Sequence, residues 1–313
     1  MEAQGGEQMK LIFLGTSAGR PTLVRNVTSI ALLLPEPHHR FWLFDAGEGT
    51  QHQLLRTKLK LNKLEKIFIT HMHGDHTYGL PGLLGSRTYY EGAGKLELYG
   101  PPGIRSYLEN AIERSELHLN YELEITEVEE GRLPVEDDRL TVETAELHHR
   151  IRCFGYRISE RPRPGQLDLA KLSQLGVPPG PLYGKLKHGE DVALPNGQIL
   201  RSADVVGAPS PGRVVTILGD TSPCDSAVKL AEGADLLVHE ATFDAGLEEK
   251  AIAYGHSTIA QAAETAARAK AKRLAVTHFS ARYSEEDVER FAAENRSIHP
   301  DIVAASDYLE LRI

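Results

Sequence analysis

The sequence has few cysteines and no long apolar run. Of 313 residues only Cys153 and Cys224 are cysteines, so no disulfide framework is expected and both are predicted to pack as small buried residues. No run of about 18 apolar residues occurs, so no membrane-spanning helix is predicted. Residues 1–9 lack the apolar stretch of a signal peptide and are predicted to form a disordered extension. These absences predict a cytoplasmic protein.

The charge of the chain is negative overall but unevenly distributed. A net charge of −9 argues against a nucleic-acid partner when taken alone. Residues 113–146 contain twelve Asp or Glu and three Lys or Arg, whereas residues 150–190 contain eight Lys or Arg and three acids. The two stretches are compatible either with ordinary solvated faces or with a local basic surface for an acidic partner.

The hydrophobic pattern predicts a layered α/β protein, with sheets inside and helices outside, as in an αββα sandwich. Short apolar runs bounded by Gly, Pro or Asp predict strands at 10–15, 29–34, 40–44, 66–70, 95–99, 140–145, 153–158, 213–218, 235–238, 273–277 and 301–305. Helical patterns cover 49–59, 103–113, 258–271 and 285–294. Thr258 with Gln261, and Ser284 with Asp287, resemble capping boxes that open helices.

One segment interrupts this pattern. Residues 160–212 hold eight of the 17 prolines and eight glycines, a composition that forms a poor core. They also carry much of the basic cluster. We therefore expect an extended insertion that projects from a single domain spanning residues 10–313.

A cluster of potential metal ligands follows the apolar run at 67–70. It reads His71-Met72-His73-Gly74-Asp75-His76. Three imidazoles and a carboxylate are costly to bury without a partner, and a divalent metal ion is the partner they prefer. Alternate residues converge from one side of an extended turn, whereas His76 points elsewhere and suits a second ion. The alternative is a solvated His-rich loop.

Other potential ligands stand at the ends of predicted strands. Asp220 follows the strand at 213–218, and His278 follows the strand at 273–277. His149 follows the apolar run at 140–147, although the adjacent His148 is a competing choice. Strand ends in α/β folds hold functional side chains on a rigid scaffold. Together with the 71–76 segment, these residues predict a metal centre.

The sequence resembles the metallo-β-lactamase superfamily and, within it, the ribonuclease Z family of tRNA 3′-processing endonucleases. The resemblance runs from Leu11 to the C-terminus. The motifs that carry it are Phe-Leu-Gly-Thr (13–16), Arg-Asn-Val-Thr-Ser (25–29), Phe-Ile-Thr-His-Met-His-Gly-Asp-His (68–76), Gly-Leu-Pro-Gly-Leu-Leu (79–84), Pro-Pro-Gly-Pro-Leu-Tyr (178–183), Gly-Asp-Thr (219–221), Val-His-Glu-Ala-Thr-Phe (238–243), His-Ser-Thr (256–258) and Thr-His-Phe-Ser-Ala-Arg-Tyr (277–283).

The resemblance implies two zinc ions per subunit and no organic cofactor. By position, the first zinc would be held by His71, His73 and His149, and the second by Asp75, His76 and His278, with Asp220 between them. Flavodiiron relatives carry a carboxylate at the position of His73. The imidazole found here favours zinc over iron.

The resemblance also implies the reaction, which is cleavage of precursor tRNA after the discriminator nucleotide to leave a 3′-hydroxyl. Two metal ions would activate a water and bind a phosphate oxygen, and Asp75 would accept the proton of that water. His256, oriented by Glu240, would protonate the leaving oxygen. Arg282 would direct two N–H groups at the phosphate. Taken alone, His256 and Arg282 are also compatible with ordinary surface positions.

The resemblance further implies a partner for each subunit and a role for the insertion. Residues 160–212 would form a flexible arm that grips tRNA, and the protein would be a homodimer in which one subunit's arm holds tRNA cleaved at the other. The family often has Lys in the loop that reads here Pro21-Thr22-Leu23-Val24-Arg25-Asn26, where it is associated with sensing a 3′ CCA end. Leu23 occupies that position, and Arg25 is predicted to keep part of the role.

Two other functions fit parts of the pattern. A small-molecule hydrolase of the same fold, such as a phosphodiesterase, a thioesterase or an arylsulfatase, would use the metal centre but would not need the basic arm. A non-catalytic RNA-binding protein that kept the fold would hold little metal. Dependence of activity on the arm and the metal content of the purified protein separate these cases.

Overall fold

Two seven-stranded sheets form the centre of the protein in a computed structural model. The structure describes residues 9–35, 40–162, 164–194, 197–209 and 211–313. Residues 1–8 of the predicted extension lie outside the described residues, whereas Met9 is buried. The carbonyl of Met9 accepts a hydrogen bond from the Ile313 amide at 3.0 Å.

The first sheet combines antiparallel and parallel strands. In spatial order it contains Glu310–Arg312, Lys10–Gly15, Ser29–Leu33, Phe41–Phe44, Leu64–Phe68, Leu96–Gly100 and Leu123–Glu127. The last four run parallel to one another. The carboxyl ends of parallel strands meet at one edge of a sheet, so Asp45 and the segment beginning at His71 emerge together.

The second sheet has the same organisation. Its spatial order is Ile302–Ala304, Leu274–Thr277, Leu236–Glu240, Val214–Ile217, Cys153–Glu160, Leu140–Leu147 and Gly131–Arg132. The first four strands are parallel. Their carboxyl ends carry Asp220, Glu240 and His278 at a common edge.

The described residues form eleven α-helices, several of which cover the outer faces of the sheets. The α-helices are Thr50–Leu55, Gly74–Thr77, Leu80–Arg87, Ile104–Arg114, Leu169–Gln174, Pro181–Lys187, Ser202–Val205, Asp225–Leu230, Glu248–Ala253, Ile259–Arg268 and Glu285–Glu294, with 3₁₀ turns at Leu61–Lys63 and Asn295–Ser297. Smaller strand pairs join Val192–Ala193 to Ile199–Leu200 and Ser17–Ala18 to Phe279–Ser280. Within the described ranges, no helix combines the length and the apolar character that crossing a membrane requires.

Three apolar layers explain this arrangement. Helices Thr50–Leu55, Leu80–Arg87 and Ile104–Arg114 pack on the outside of the first sheet. Helices Ile259–Arg268 and Glu285–Glu294 pack on the second. Aromatic rings pack between the sheets, with ring centroids 5.0 Å apart for Phe44 and Phe68, 5.2 Å for Phe68 and Tyr99, and 5.3 Å for Phe68 and Tyr156. The predicted αββα order is thereby confirmed.

Most predicted elements are present, with shifted ends. The strand Lys10–Gly15 and the helix Glu285–Glu294 match their predicted bounds, and both capping boxes form. The helix predicted at 49–59 ends at Leu55 instead. Helix Leu80–Arg87 was not predicted, because its two glycines and its proline lower helix propensity and only packing of its leucines compensates.

The chain divides into two compact units. The first contains almost all of both seven-stranded sheets, and the second comprises residues 137–141 and 159–213. The expectation that this region forms a poor core is wrong, because it buries seven apolar side chains of its own: Leu172, Val177, Leu186, Val192, Leu194, Leu200 and Val205. Prolines and glycines form the turns between its short helices, so they do not prevent a small core. Asp168 caps the first of these helices by accepting from the Lys171 amide.

The two cysteines differ in burial. Cys153 is fully buried, as predicted, and burial raises the pKa of its thiol. Cys224 is only half-buried, because it stands at the start of helix Asp225–Leu230 beside the hydroxyl of Ser226. The prediction of two buried cysteines is therefore wrong for Cys224.

Candidate metal centre

The 71–76 segment leaves its strand in an extended conformation and turns into a one-turn helix at Gly74. A neighbouring loop packs tightly on this turn. A Cβ atom at Gly47 would lie 2.3 Å from the carbonyl oxygen of Asp75, so only glycine allows the two backbones to approach this closely. The close approach brings Asp45 beneath the histidines.

Four of the predicted ligands form one group of facing donor atoms. The group is His71, His73, His149 and Asp220, whose ligand atoms all lie within 4.8 Å of one another. Nδ1 of His73 lies 3.0 Å from Nε2 of His71 and 3.2 Å from Nε2 of His149. His149 joins the group and His148 does not, since the backbone of His148 is bonded to Thr221 and Ser222 and its side chain is exposed.

The other three predicted ligands form a second group beside the first. Nε2 of His278 lies 3.3 Å from Nε2 of His76 and 3.3 Å from Oδ2 of Asp75. Oδ2 of Asp220 reaches both groups, at 3.6 Å from His71 and 3.4 Å from His278. Burial acts to raise the pKa of Asp75, but the histidine charges outweigh it and hold that pKa below its usual range.

The chemistry of this donor set fits divalent metal ions. Imidazole nitrogens and carboxylate oxygens converge with their lone pairs towards common points, an arrangement that would be unfavourable without a cation. The fold and these two groups together indicate a metal-binding site.

Each of three histidines is held by a partner on its far side. Nδ1 of His76 lies 2.8 Å from Oδ2 of Asp45, and Nδ1 of His149 lies 2.6 Å from the carbonyl oxygen of Gly255. Nδ1 of His278 lies 2.9 Å from Oγ1 of Thr242. These partners leave the Nε2 atoms free to face the centre, and such outer contacts orient metal ligands.

Sequence reasoning missed these orienting partners. Asp45 carried a signal, because it is an acidic residue directly after an apolar strand. Gly255 acts through its backbone carbonyl, and no side-chain pattern reveals such a role.

His256 and Glu240 form a pair at the edge of the centre. Nδ1 of His256 lies 3.0 Å from Oε1 of the buried Glu240 and 3.8 Å from Oδ2 of Asp220. The same glutamate accepts from the amides of Ser257 and Thr242, which fixes its position. Burial acts to lower the pKa of His256, but Glu240 outweighs it and raises that pKa to about 9. His256 also lies near enough to Asp220 and His278 to be a third potential ligand group.

Arg282 is separate from this cluster. Its side chain is exposed and its Nε donates to Oγ of Ser280 at 2.9 Å. The guanidinium lies over the ring of Phe243 at 5.5 Å, and that ring lies 6.2 Å from the imidazole of His256. Arg282 therefore stands near the His256 side of the centre without contacting the predicted ligands.

The loop from Pro21 to Asn26 exposes Leu23 and buries Arg25. Leu23 is fully exposed at its tip, whereas Arg25 is buried and donates to Thr16 Oγ1 at 2.8 Å and to the Ala305 carbonyl at 2.6 Å. The role of Arg25 in sensing an RNA end stays a prediction, and its guanidinium is bonded inside the protein.

Comparisons with known proteins agree with the fold. Ribonuclease Z of Bacillus licheniformis is 52% identical over 97% of this chain and 99% of its own length. Ribonuclease BN of an Enterobacter species is 49% identical over 97% of this chain and 99% of its own. A family model described as anti-Pycsar protein Apyc1 matches residues 9–153, less than half of the chain.

Solved structures show the same architecture. The short form of human tRNase Z superposes with a TM-score of 0.70 at 30% identity, covering 96% of this chain and 98% of that one. The metallo-β-lactamase fold protein YhfI from Bacillus subtilis superposes at 0.67 with 18% identity over 98% of this chain and 100% of that one, and it supports the fold alone. The chain adopts the metallo-β-lactamase fold and belongs to the ribonuclease Z family.

Proposed function

We propose that the protein is a zinc-dependent endoribonuclease that removes the 3′ trailer from precursor tRNA by cutting after the discriminator nucleotide. The cut would leave a 3′-hydroxyl on the tRNA. The observation that carries this proposal is near-full-length similarity to ribonuclease Z together with a complete set of facing His and Asp donors. The chain would act in the cytoplasm as a homodimer.

The proposed ligand assignment follows the two groups of donor atoms. One zinc ion would be held by His71, His73 and His149, a second by Asp75, His76 and His278, and Asp220 would contact both. When bound, such a pair of ions supplies an activated water and neutralises charge on the phosphate.

The side chains around the centre would handle the protons of the reaction. Asp75 would accept a proton from the attacking water, since its Oδ2 atom lies at the centre itself, 3.3 Å from Nε2 of His278. His256 would donate a proton to the leaving 3′-oxygen of the tRNA. Glu240 supports this role because it favours the protonated imidazole and fixes its orientation. Arg282 would bind a phosphate oxygen after moving from its contact with Ser280.

Binding of the tRNA body would fall to the second unit. Its exposed basic residues include Lys171, Lys185, Lys187 and Arg201, and phosphate contacts of this kind supply much of the affinity for RNA. This local surface explains how a protein of net charge −9 would bind an anionic substrate.

The test uses a precursor tRNA with a short 3′ trailer and maps the new 3′ end. Wild type should make a single cut after the discriminator, and Asp75→Ala or a chelator should abolish it. Asp225→Ala is the matched control, because Asp225 is an exposed carboxylate paired with Arg268 at 2.7 Å. If a zinc-loaded wild type leaves the precursor intact but hydrolyses a small phosphodiester, the small-molecule hydrolase replaces the tRNA enzyme.

A further inference from the structure

The carboxylate of Asp75 has a hydrogen-bond donor outside the histidine cluster. The amide of Gly19 donates to Oδ2 of Asp75 at 2.7 Å. This is the same oxygen that faces His76 and His278. The position of Gly19 therefore limits where the reactive oxygen of Asp75 lies.

Gly19 is part of a loop that we define as residues 16–26. Gly19 has a positive φ of 71°, and next to it Oγ of Ser17 donates to the Arg20 carbonyl at 2.7 Å. At the base of the loop, the amides of Thr16 and Ser17 both donate to the Asn26 carbonyl at 2.9 Å. A displacement of the loop's base would therefore be passed to Gly19.

One carboxylate near the C-terminus holds both ends of the 16–26 loop. Oδ1 of Asp307 accepts from Oγ1 of Thr16 at 2.7 Å, and Oδ2 accepts from the amide of Asn26 at 2.7 Å. Because the two oxygens belong to one rigid group, Asp307 sets the separation between the ends of the loop.

Asp307 is itself fixed by a polar network. Nε2 of Gln53 donates to Oδ2 of Asp307 at 2.9 Å and to the Leu14 carbonyl at 2.7 Å. The hydroxyl of Tyr308 donates to Oε1 of Gln53 at 2.7 Å. Asp307 thus accepts three hydrogen bonds, and an ionised carboxylate makes such bonds stronger than a neutral group does.

We propose that Asp307 is a positioning residue for Asp75, acting through the 16–26 loop and the amide of Gly19. This inference rests on the proposed function, in which Asp75 accepts a proton and contributes to the metal centre. Asp307 touches neither substrate nor the predicted ligands. Its effect is to keep Oδ2 of Asp75 aligned with His76 and His278.

The test is Asp307→Asn, which preserves shape but replaces one accepting oxygen with an NH₂ group, so that the side chain can no longer accept from the Thr16 hydroxyl and from the two N–H donors at the same time. We expect kcat for bis(p-nitrophenyl) phosphate to fall by about 10- to 100-fold, the usual effect of losing an outer partner of a metal ligand. KM should change by less than about threefold, since Asp307 itself would not contact a small phosphodiester bound at the metal centre. The zinc dissociation constant, measured by chelator competition, should rise.

Asp301→Asn is the matched control, because Asp301 is a partly exposed aspartate in the same C-terminal region, paired with Arg273 at 3.4 Å. Asp301→Asn should leave kcat and the zinc dissociation constant unchanged. Thr16→Val serves as a second variant if Asp307→Asn does not fold, since it removes one of the three donors and should produce a smaller loss in the same direction.

The proposal is overturned if Asp307→Asn lowers the melting temperature while kcat per folded molecule and the zinc constant stay at wild-type values. Small-substrate hydrolysis keeps this test separate from the proposed function. A wild type that ignores precursor tRNA but hydrolyses the small phosphodiester would remove the tRNA assignment and would still allow Asp307 to be tested.

Discussion

The histidines of the centre are useful because each presents one defined nitrogen. A neutral imidazole carries its proton on one nitrogen and offers the other as a ligand, and an acceptor on the far side selects which. Asp45, Gly255 and Thr242 occupy the far sides of His76, His149 and His278. Orientation is therefore set by residues that do not themselves face the centre.

Asp45→Asn tests whether the partner on the far side of His76 orients that histidine for metal binding. Asp45 also accepts from the amide and hydroxyl of Thr70, so an amide side chain must place its NH₂ group against another donor. We expect zinc affinity to fall by about 10- to 100-fold, measured by chelator competition. Asp225→Asn, an exposed carboxylate far along the chain, should have no effect. Unchanged zinc binding by Asp45→Asn would show that His76 needs no outer partner.

Gly255→Ala tests the position of His149. Gly255 has a φ of 75°, and an added Cβ would lie 2.9 Å from Nδ1 of His149. Gly246→Ala is the control, because Gly246 has a φ of 86° but nothing within 4 Å of its Cβ. Both variants should be destabilised by about 1 kcal/mol through backbone strain. Only Gly255→Ala should also lose zinc affinity, and equal zinc binding by the two variants would contradict the role.

At the scale of elements, the ends of strands and the starts of helices determine where the reactive groups stand. His256 lies three residues before the start of helix Ile259–Arg268, and Arg282 lies three residues before the start of helix Glu285–Glu294. Each helix opens with a capping box, at Thr258 and at Ser284. Local capping thus fixes the chain direction immediately next to the residues proposed for catalysis.

The two caps allow stability and function to be separated. Thr258→Ala and Ser284→Ala should each lower the free energy of unfolding by about 1 kcal/mol, because each removes an acceptor for an unpaired helix amide. Both variants should in addition reduce kcat, since the Thr258 cap lies beside His256 and the Ser284 cap lies beside Arg282. Urea unfolding and single-turnover cleavage measure the two effects. A wild-type kcat in either variant would mean that its cap supports the fold alone.

At the scale of the whole molecule, charge is divided between two compact units. The chain carries a net charge of −9, yet the second unit presents an exposed lysine and arginine set. Exposed cations of this kind would attract an anionic substrate, and such attraction weakens with salt.

The combined variant Lys171→Gln, Lys185→Gln and Lys187→Gln tests the basic surface. Cleavage of precursor tRNA should show a higher KM, and the slope of log KM against log salt should fall by roughly one for each lost phosphate contact. Hydrolysis of bis(p-nitrophenyl) phosphate should be unchanged. As a charge-matched control, Lys58→Gln, Lys60→Gln and Lys63→Gln remove three lysines outside this unit. An identical salt slope in both triple variants would exclude the second unit from RNA binding.

The sequence alone was sufficient to predict groups whose positions depend on residues adjacent in the chain. Sequence predicted the 71–76 ligand segment, both capping boxes and Asp220, which follows the strand ending at Ile217. Spacing along a strand or a helix turn places those groups regardless of the rest of the chain. Family resemblance added the choice of His256 and Glu240, which the structure places 3.0 Å apart.

Tertiary structure alone decided contacts between distant parts of the chain. Asp45 meets His76 across 31 residues, Gly255 meets His149 across 106, and Asp307 meets Asn26 across 281. The burial of Arg25 and the separate apolar core between Leu172 and Val205 are likewise results of tertiary structure. Such contacts depend on how sheets and loops pack, a property of the whole fold that no local spacing contains.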